Sequence, residues 1–285
     1  MSFSIPITQN NISNTQNNSQ WQYNFLNGAF RMQNMEMCIS TVSIPYSWYN
    51  VTSLNGNNSF NYTWWNGTVY NIVLPDGFYA VPDIQNYIEQ TMISNSQYLI
   101  DGNGNYIFYL SMYYNVTYYA VQLIALTVPT SAQAVALGLT APSGWGGYPT
   151  VATTCQLVVL NNNFINLIGF TPGSYPVTNQ TSNYNIDSSF TPQGSIVNSL
   201  LLNCNLVNNP VNANSVILDG WPINAVFGSS ITYQPNYEKW ITLNNGTYSN
   251  FNLSMVDQNG NTVYARDGSG TITLLIRKKL SSNSV

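Results

Sequence analysis

Apolar and polar residues alternate with a period of two over much of the chain. Phe60, Tyr62 and Trp64 alternate with Asn61 and Thr63. Thr247, Ser249, Phe251, Leu253 and Met255 alternate with Tyr248, Asn250, Asn252 and Ser254, and Ile272, Leu274 and Ile276 with Thr271, Thr273 and Arg277. This pattern predicts half-buried antiparallel strands, because successive side chains of a strand point to opposite faces. Asn-Gly dipeptides at Asn27-Gly28, Asn55-Gly56, Asn66-Gly67, Asn103-Gly104, Asn245-Gly246 and Asn259-Gly260 predict hairpin turns, since both residues tolerate positive φ. The runs 118–127 and 156–160 are apolar on both faces. They belong either inside a doubly covered sandwich or with one face in an oligomer interface.

Two segments carry a helical period instead. Over Val81–Met92, the residues Ile84, Tyr87, Ile88 and Met92 form one apolar stripe, with Pro82 in the tolerated first turn and Asp83 placed to favour the helix dipole. A shorter helix is expected over 164–168, with Asn163 as cap and Gly169 as stop. The polar residues 1–20 read as an N-terminal arm, and 21–280 as a single all-β domain of two sheets packed face to face, with one or two short helices. Residues 131–150 (SAQAVALGLTAPSGWGGYPT) read as one long loop between strands, and 281–285 as a C-terminal tail. No composition shift marks a boundary, no fixed-period repeat is present, and no large insertion is expected.

Composition changes the picture through charge. The 285 residues are 44% hydrophobic, enough for one large all-β domain or two smaller ones, yet only 6% are charged, against roughly 25% in an ordinary soluble domain. Asn, Gln, Ser and Thr must keep the surface wet, while 21 tyrosines and 7 tryptophans add amphipathic area. Such a surface suits contact with protein, and its low charge removes the repulsion that opposes self-association.

Candidate chemistry is sparse. There is no histidine, so the Ser-His and Cys-His nucleophile pairs are excluded. Cys38, Cys155 and Cys204 fit neither a disulfide scaffold nor a zinc site and read as buried thiols. Asp76, Asp83, Asp101, Asp219, Asp257 and Asp267 sit in turn-like contexts, where Asp serves as a local backbone acceptor, which argues against a glycosidase pair. The stretches from Asp101 and Asp257 start like calcium loops, but the required Gly and Glu positions are missing, so hairpin turns are expected. No catalytic residue, metal or cofactor is expected, and the chain is read as not an enzyme.

Arg277, Lys278 and Lys279 hold half of the six cations. They are placed after the last strand, as a solvated end that blocks edge pairing in preference to a phosphate contact. The start MSFSIPITQN lacks the marks of a signal peptide, and the longest apolar run is too short to span a bilayer. Synthesis in a reducing compartment is therefore expected, with the ten N-x-S/T sequons a by-product of Asn-rich composition.

The stretch 43–51 (SIPYSWYNV), followed by Phe60–Trp64, Val73–Tyr79 leading into the helix at Pro82, 166–176 (NLIGFTPGSYP), Leu253–Gly260 and Ile272–Arg277, resembles the penton (vertex) proteins of virophages, polinton-like viruses and related large eukaryotic DNA viruses. The resemblance implies a jelly-roll sandwich. It further implies a minor capsid protein whose homopentamer closes each five-fold vertex of an icosahedral capsid beside the major capsid protein, with other minor capsid proteins as further neighbours. The implied place is the virion capsid, assembled inside the host cell. A five-fold ring needs two different patches per subunit, and Tyr46, Trp48, Tyr49, Trp64 and Trp65 are expected partly in core and partly against a neighbour. The alternative function is a lectin-like or spike protein attaching a particle to host glycans through exposed aromatics; Trp145 or Trp221 could stack on sugar, but a place in core or interface is the more frequent one for such rings.

Overall fold

The structure is a computed structural model and describes residues 2–14, 17–209 and 216–279. It divides into two compact units. One runs to Trp48 and resumes at Val197, and the other is Tyr49–Ile196. The first unit opens with β1 (Ser2–Ile7), β2 (Gln20–Asn24) and β3 (Met35–Pro45). The second contains β4 (Ser59–Thr63), β5 (Val69–Val73), α1 (Val81–Ser94), β6 (Leu110–Asn115), β7 (Ala120–Ala125), α2 (Ser131–Ala136), β8 (Gln156–Val159), α3 (Phe164–Ile168), β9 (Gly173–Tyr175) and β10 (Tyr184–Asp187). The chain then returns to the first unit for β11 (Ser199–Cys204), β12 (Ile217–Pro222), β13 (Ser230–Tyr233), β14 (Asn250–Asp257) and β15 (Thr271–Lys278).

The first unit is a jelly roll by its own strand order. One sheet runs β1-β15-β3-β13 and the other β12-β11-β14-β2, every neighbour antiparallel. Counting only these eight strands in chain order, the sheets read first-eighth-third-sixth and fifth-fourth-seventh-second, the double Greek key of that architecture. Each sheet buries one face: Ile272, Leu274 and Ile276 of β15 in the first, and Phe251, Leu253 and Met255 of β14 in the second. A bulge opposite Thr273/Leu274 puts one extra residue into β3. Before it every residue from Met35 to Ile39 is buried, and after it burial alternates with Val42 and Ile44 inside.

The second unit has a core of its own, built from Phe60, Tyr62, Trp64, Ile84, Ile88 and Leu110 among others. Its larger sheet runs β9-β8-β4-β5 and a smaller one β10-β7-β6. α1 buries Ile84, Ile88 and Met92 on one face, and Asp83 accepts the Ala80 N–H at 2.8 Å to hold the first turn. The Gln85 side chain accepts the Met112 N–H at 2.7 Å and so ties α1 to the outer edge of β6.

Several expectations are corrected. The single domain over 21–280 is two units, the jelly roll being interrupted between its third and fourth strands by a large insertion. Both units draw on the same uncharged residues, so composition leaves no mark at the crossings. Residues 2–7 of the expected arm form a strand, Ser2 to Ile7 pairing with Arg277 to Ile272. The expected loop 131–150 begins with α2, whose Thr130/Gln133 capping box satisfies its first turn. Tyr118 and Tyr119 are not strand residues but the tip of the β6–β7 hairpin. Gly246 lies in a short strand paired with Met32 and not in a turn. At α3 the N-cap position is Asn163 as expected, but its side chain makes no capping bond; Asn162 Oδ1 accepts the Phe164 N–H at 3.0 Å instead, and Gly169 stops the helix at φ 75° as expected. Arg277 and Lys278 lie inside β15. The tail 281–285 lies outside the described residues.

Candidate functional site

Alternation decides where the aromatic run at 44–53 goes. From the bulge onward, Val42, Ile44, Tyr46, Trp48 and Asn50 are all buried, while the odd positions between them are half-buried or exposed. Tyr46 and Trp48 therefore enter the jelly-roll core, their ring centroids 4.5 Å apart, with Phe227 edge-on to Tyr46 at 5.8 Å. Tyr49, on the other parity, is half-buried. In the inserted unit Trp64 is core, packed edge-on against Trp145 at 5.8 Å, and Trp65 is half-buried. The even-numbered phase was the available signal, and continuing it from Ile44 assigns the inward face. Trp221 is also buried, in contact with Tyr233, so it offers no face to a ligand.

Asn50 is 3% exposed and holds the ends of the insertion together. Its Nδ2 donates to the Tyr79 and Gly194 carbonyls at 2.8 and 2.7 Å, and its Oδ1 accepts the Tyr79 N–H at 2.8 Å. It heads an N-x-T sequon, but a buried amide spent in this way is not available to a glycan.

All ten carboxylates accept a hydrogen bond or ion pair within their own unit. Asp101 takes the Asn103 and Asn105 N–H groups and Asp257 those of Asn259 and Asn261, all at 2.8 Å, so both calcium-like stretches are closed hairpin turns. The Asn105 side chain and these amides hold Asp101 below the ordinary carboxylate range, and Ser269 does the same for Asp267. Asp219 is in β12, not a turn, where it pairs with Lys239 at 2.9 Å and accepts the Tyr233 hydroxyl at 2.8 Å. Glu36 takes the Arg277 guanidinium at 2.6 Å, while Trp240 lies 3.8 Å from the guanidinium carbon. Arg277 is thereby a structural residue, and Lys278 and Lys279 stay exposed. Asp76, Asp83, Asp187, Glu89 and Glu238 serve likewise. Among the described residues no three His, Cys, Asp or Glu side chains cluster as metal ligands, and no helix is long and apolar enough to cross a membrane. Burial raises all three thiols, Cys38 and Cys204 to about 11, so they stay protonated at neutral pH.

The most exposed aromatic cluster was not visible from pattern. The β6–β7 hairpin reads Tyr113-Tyr114-Asn115-Val116-Thr117-Tyr118-Tyr119, and all four tyrosines face solvent, Tyr118 and Tyr119 at 72% and 63% exposure. Tyr114 and Tyr119 stand edge-to-face, centroids 6.0 Å apart. They border a groove of about 500 Å³ whose floor and far wall come from Val81, Ile84, Leu167 and Pro192, and no lining residue is charged.

These features define a class: an all-β protein whose jelly roll carries an inserted, separately cored β unit and an uncharged tyrosine-rich surface. Among solved structures the chain is similar to the mavirus penton protein, with 8% identity over 97% of each chain and a TM-score of 0.46. It is also similar to a chain of the Sputnik virophage structure determined by cryo-electron microscopy, with 15% identity over 98% of each chain and a TM-score of 0.36. No family model matches the chain, and no curated protein does.

Proposed function

We propose that this chain is a structural virion protein, a jelly-roll subunit that forms homopentamers at the five-fold vertices of an icosahedral capsid. Its neighbours there are the major capsid protein and other minor capsid proteins, its site of assembly is the interior of the host cell, and it performs no catalysis. The observation that carries this reading is the strand order β1-β15-β3-β13 over β12-β11-β14-β2, since capsid subunits are among the characteristic users of that architecture. The stretches resembling penton proteins run through both units, and the nearly uncharged surface suits the two different patches a ring requires. Arg277 is committed to Glu36, which leaves little concentrated positive charge for nucleic acid.

A fold hosts many functions, so the test is assembly. Sedimentation or light scattering of the purified chain, with electron-microscope class averages of the same sample, should give five chain masses and five-fold rings. A monomer that persists at all concentrations, or a two-fold dimer, refutes self-assembly into pentamers. Lectin domains use the same architecture, and the exposed hairpin at Tyr113–Tyr119 favours an attachment role as the second reading.

A further inference from the structure

We infer that the groove between the first turn of α1 and the β6–β7 hairpin binds a neutral saccharide, one sugar ring stacking on Tyr119 with Tyr114 set edge-to-face beside it. The inference gives the attachment reading a site and a ligand class, and it stands whether or not the subunit forms rings.

The first support is backbone strain. Among the described residues only Asn34, Ser96 and Tyr119 are non-glycine residues at positive φ, and Tyr119, at 54°, is the aromatic one. It ends the four-residue loop Val116–Tyr119, and elsewhere such turn positions go to glycine, as at Gly67, Gly104 and Gly260. A side chain with Cβ pays for the left-handed region, where Gly or Asn would not. An observed outlier of this kind points to a use for the side chain. Tyr119 is mostly in solvent and packs edge-to-face on Tyr114, itself exposed, so its ring fills no core.

The second support is the chemistry of the lining. With no charged side chain in it, the groove offers nothing to an anion or a cation. It offers an exposed edge-to-face tyrosine pair beside the apolar side chains Val81, Ile84 and Leu167. A pyranose has the matching form, an apolar C–H face bounded by hydroxyls that exchange hydrogen bonds with water and tyrosine. An extended peptide would add to the exposed edge of β6, but α1 covers that edge and Gln85 already takes the Met112 N–H.

The test uses the full chain and free neutral disaccharides (maltose, cellobiose, lactose, chitobiose) as probes, read by saturation-transfer NMR. At least one should bind, and Tyr119→Gly and Tyr114→Ala should each weaken it by about tenfold or more, as expected for loss of an aromatic platform. Tyr119→Phe should keep most of the binding. Tyr119→Gly should melt close to the temperature of the parent, because the relieved strain offsets the lost Tyr114 contact, and this separates loss of the site from loss of the fold. Silence across the panel, binding that both variants retain, or a Tyr119→Gly chain that melts far below the parent overturns the inference. So does a variant that binds no sugar in either form but loses self-association, which would make the groove a contact between copies of the chain.

Discussion

Replacing Asn50 with Ala tests how the insertion is closed. The substitution deletes two donors and one acceptor, and it strands the Tyr79 N–H, the Tyr79 carbonyl and the Gly194 carbonyl. A typical intramolecular hydrogen bond contributes about 1 kcal/mol net, and more when the abandoned partner stays buried. Gly194 is exposed and rehydrates, while Tyr79 is half-buried, so the expected loss is about 2 kcal/mol. That is a large fraction of the stability of a domain. Hydrogen exchange read at the Tyr79 amide localises it, with protection falling about 30-fold, the equivalent of that energy. Asn50→Asp should cost more than Ala at neutral pH, since it keeps the acceptor but buries a charge. Asn58→Ala, which removes one 3.3 Å bond to the Leu74 carbonyl, should cost about 0.5 kcal/mol or less. If Asn50→Ala leaves both the urea midpoint and the Tyr79 exchange rate within about twofold of the parent, the clamp is not a stabilising feature.

Other outcomes follow from the cores. Tyr62 donates its hydroxyl to Gln97, whereas the buried Tyr109 hydroxyl has no protein partner. Tyr62→Phe should therefore cost about 1–2 kcal/mol in urea titration, and Tyr109→Phe should be neutral or stabilising. Gly169→Ala would drive a Cβ into the Phe190 carbonyl oxygen at φ 75°, so a loss of about 3 kcal/mol or an insoluble product is expected; a melting temperature near the parent's would refute the geometry. Burial raises Tyr62, Tyr109 and Cys155, which favours their neutral forms in the folded state. Their contribution is complete below the unfolded values, 9.0 for the thiol and 10.0 for the phenols. It is lost as pH rises towards the folded values, at about 1.4 kcal/mol per pH unit per group. Urea midpoints should fall steeply above pH 10, less so in Tyr62→Phe, and a flat profile to pH 11 would contradict the assignment.

What was legible in the sequence was whatever depends on neighbours a few residues away. The stripe Ile84, Ile88, Met92 with Pro82 and Asp83 specifies α1 locally, and the alternations at 59–63, 250–257 and 271–278 specify strands whose buried faces are the ones expected. The division into two units is not of that kind. β3 pairs with β15 across more than two hundred residues, and the chain leaves and rejoins the jelly roll without any change in residue palette. Nothing local records which strands meet. The bulge in β3 adds to this, because it shifts the pairing register at a point where the letters Ile39-Ser40-Thr41-Val42 give no sign of an extra residue.

The tyrosine hairpin was hidden for a reason that bears on its role. Turns elsewhere announce themselves with Asn-Gly because the backbone requires positive φ, and the turn at Val116–Tyr119 requires it too, with Tyr in the position where glycine would be least strained. The run Tyr118-Tyr119-Ala120-Val121 then scans as the start of an apolar strand. Local preference and observed conformation disagree there, and a sequence that keeps such a disagreement gives up backbone stability that glycine would restore. The stability of Tyr119→Gly, set against the Tyr114 contact that it loses, measures what is given up, and the binding lost by the same variant measures what is obtained.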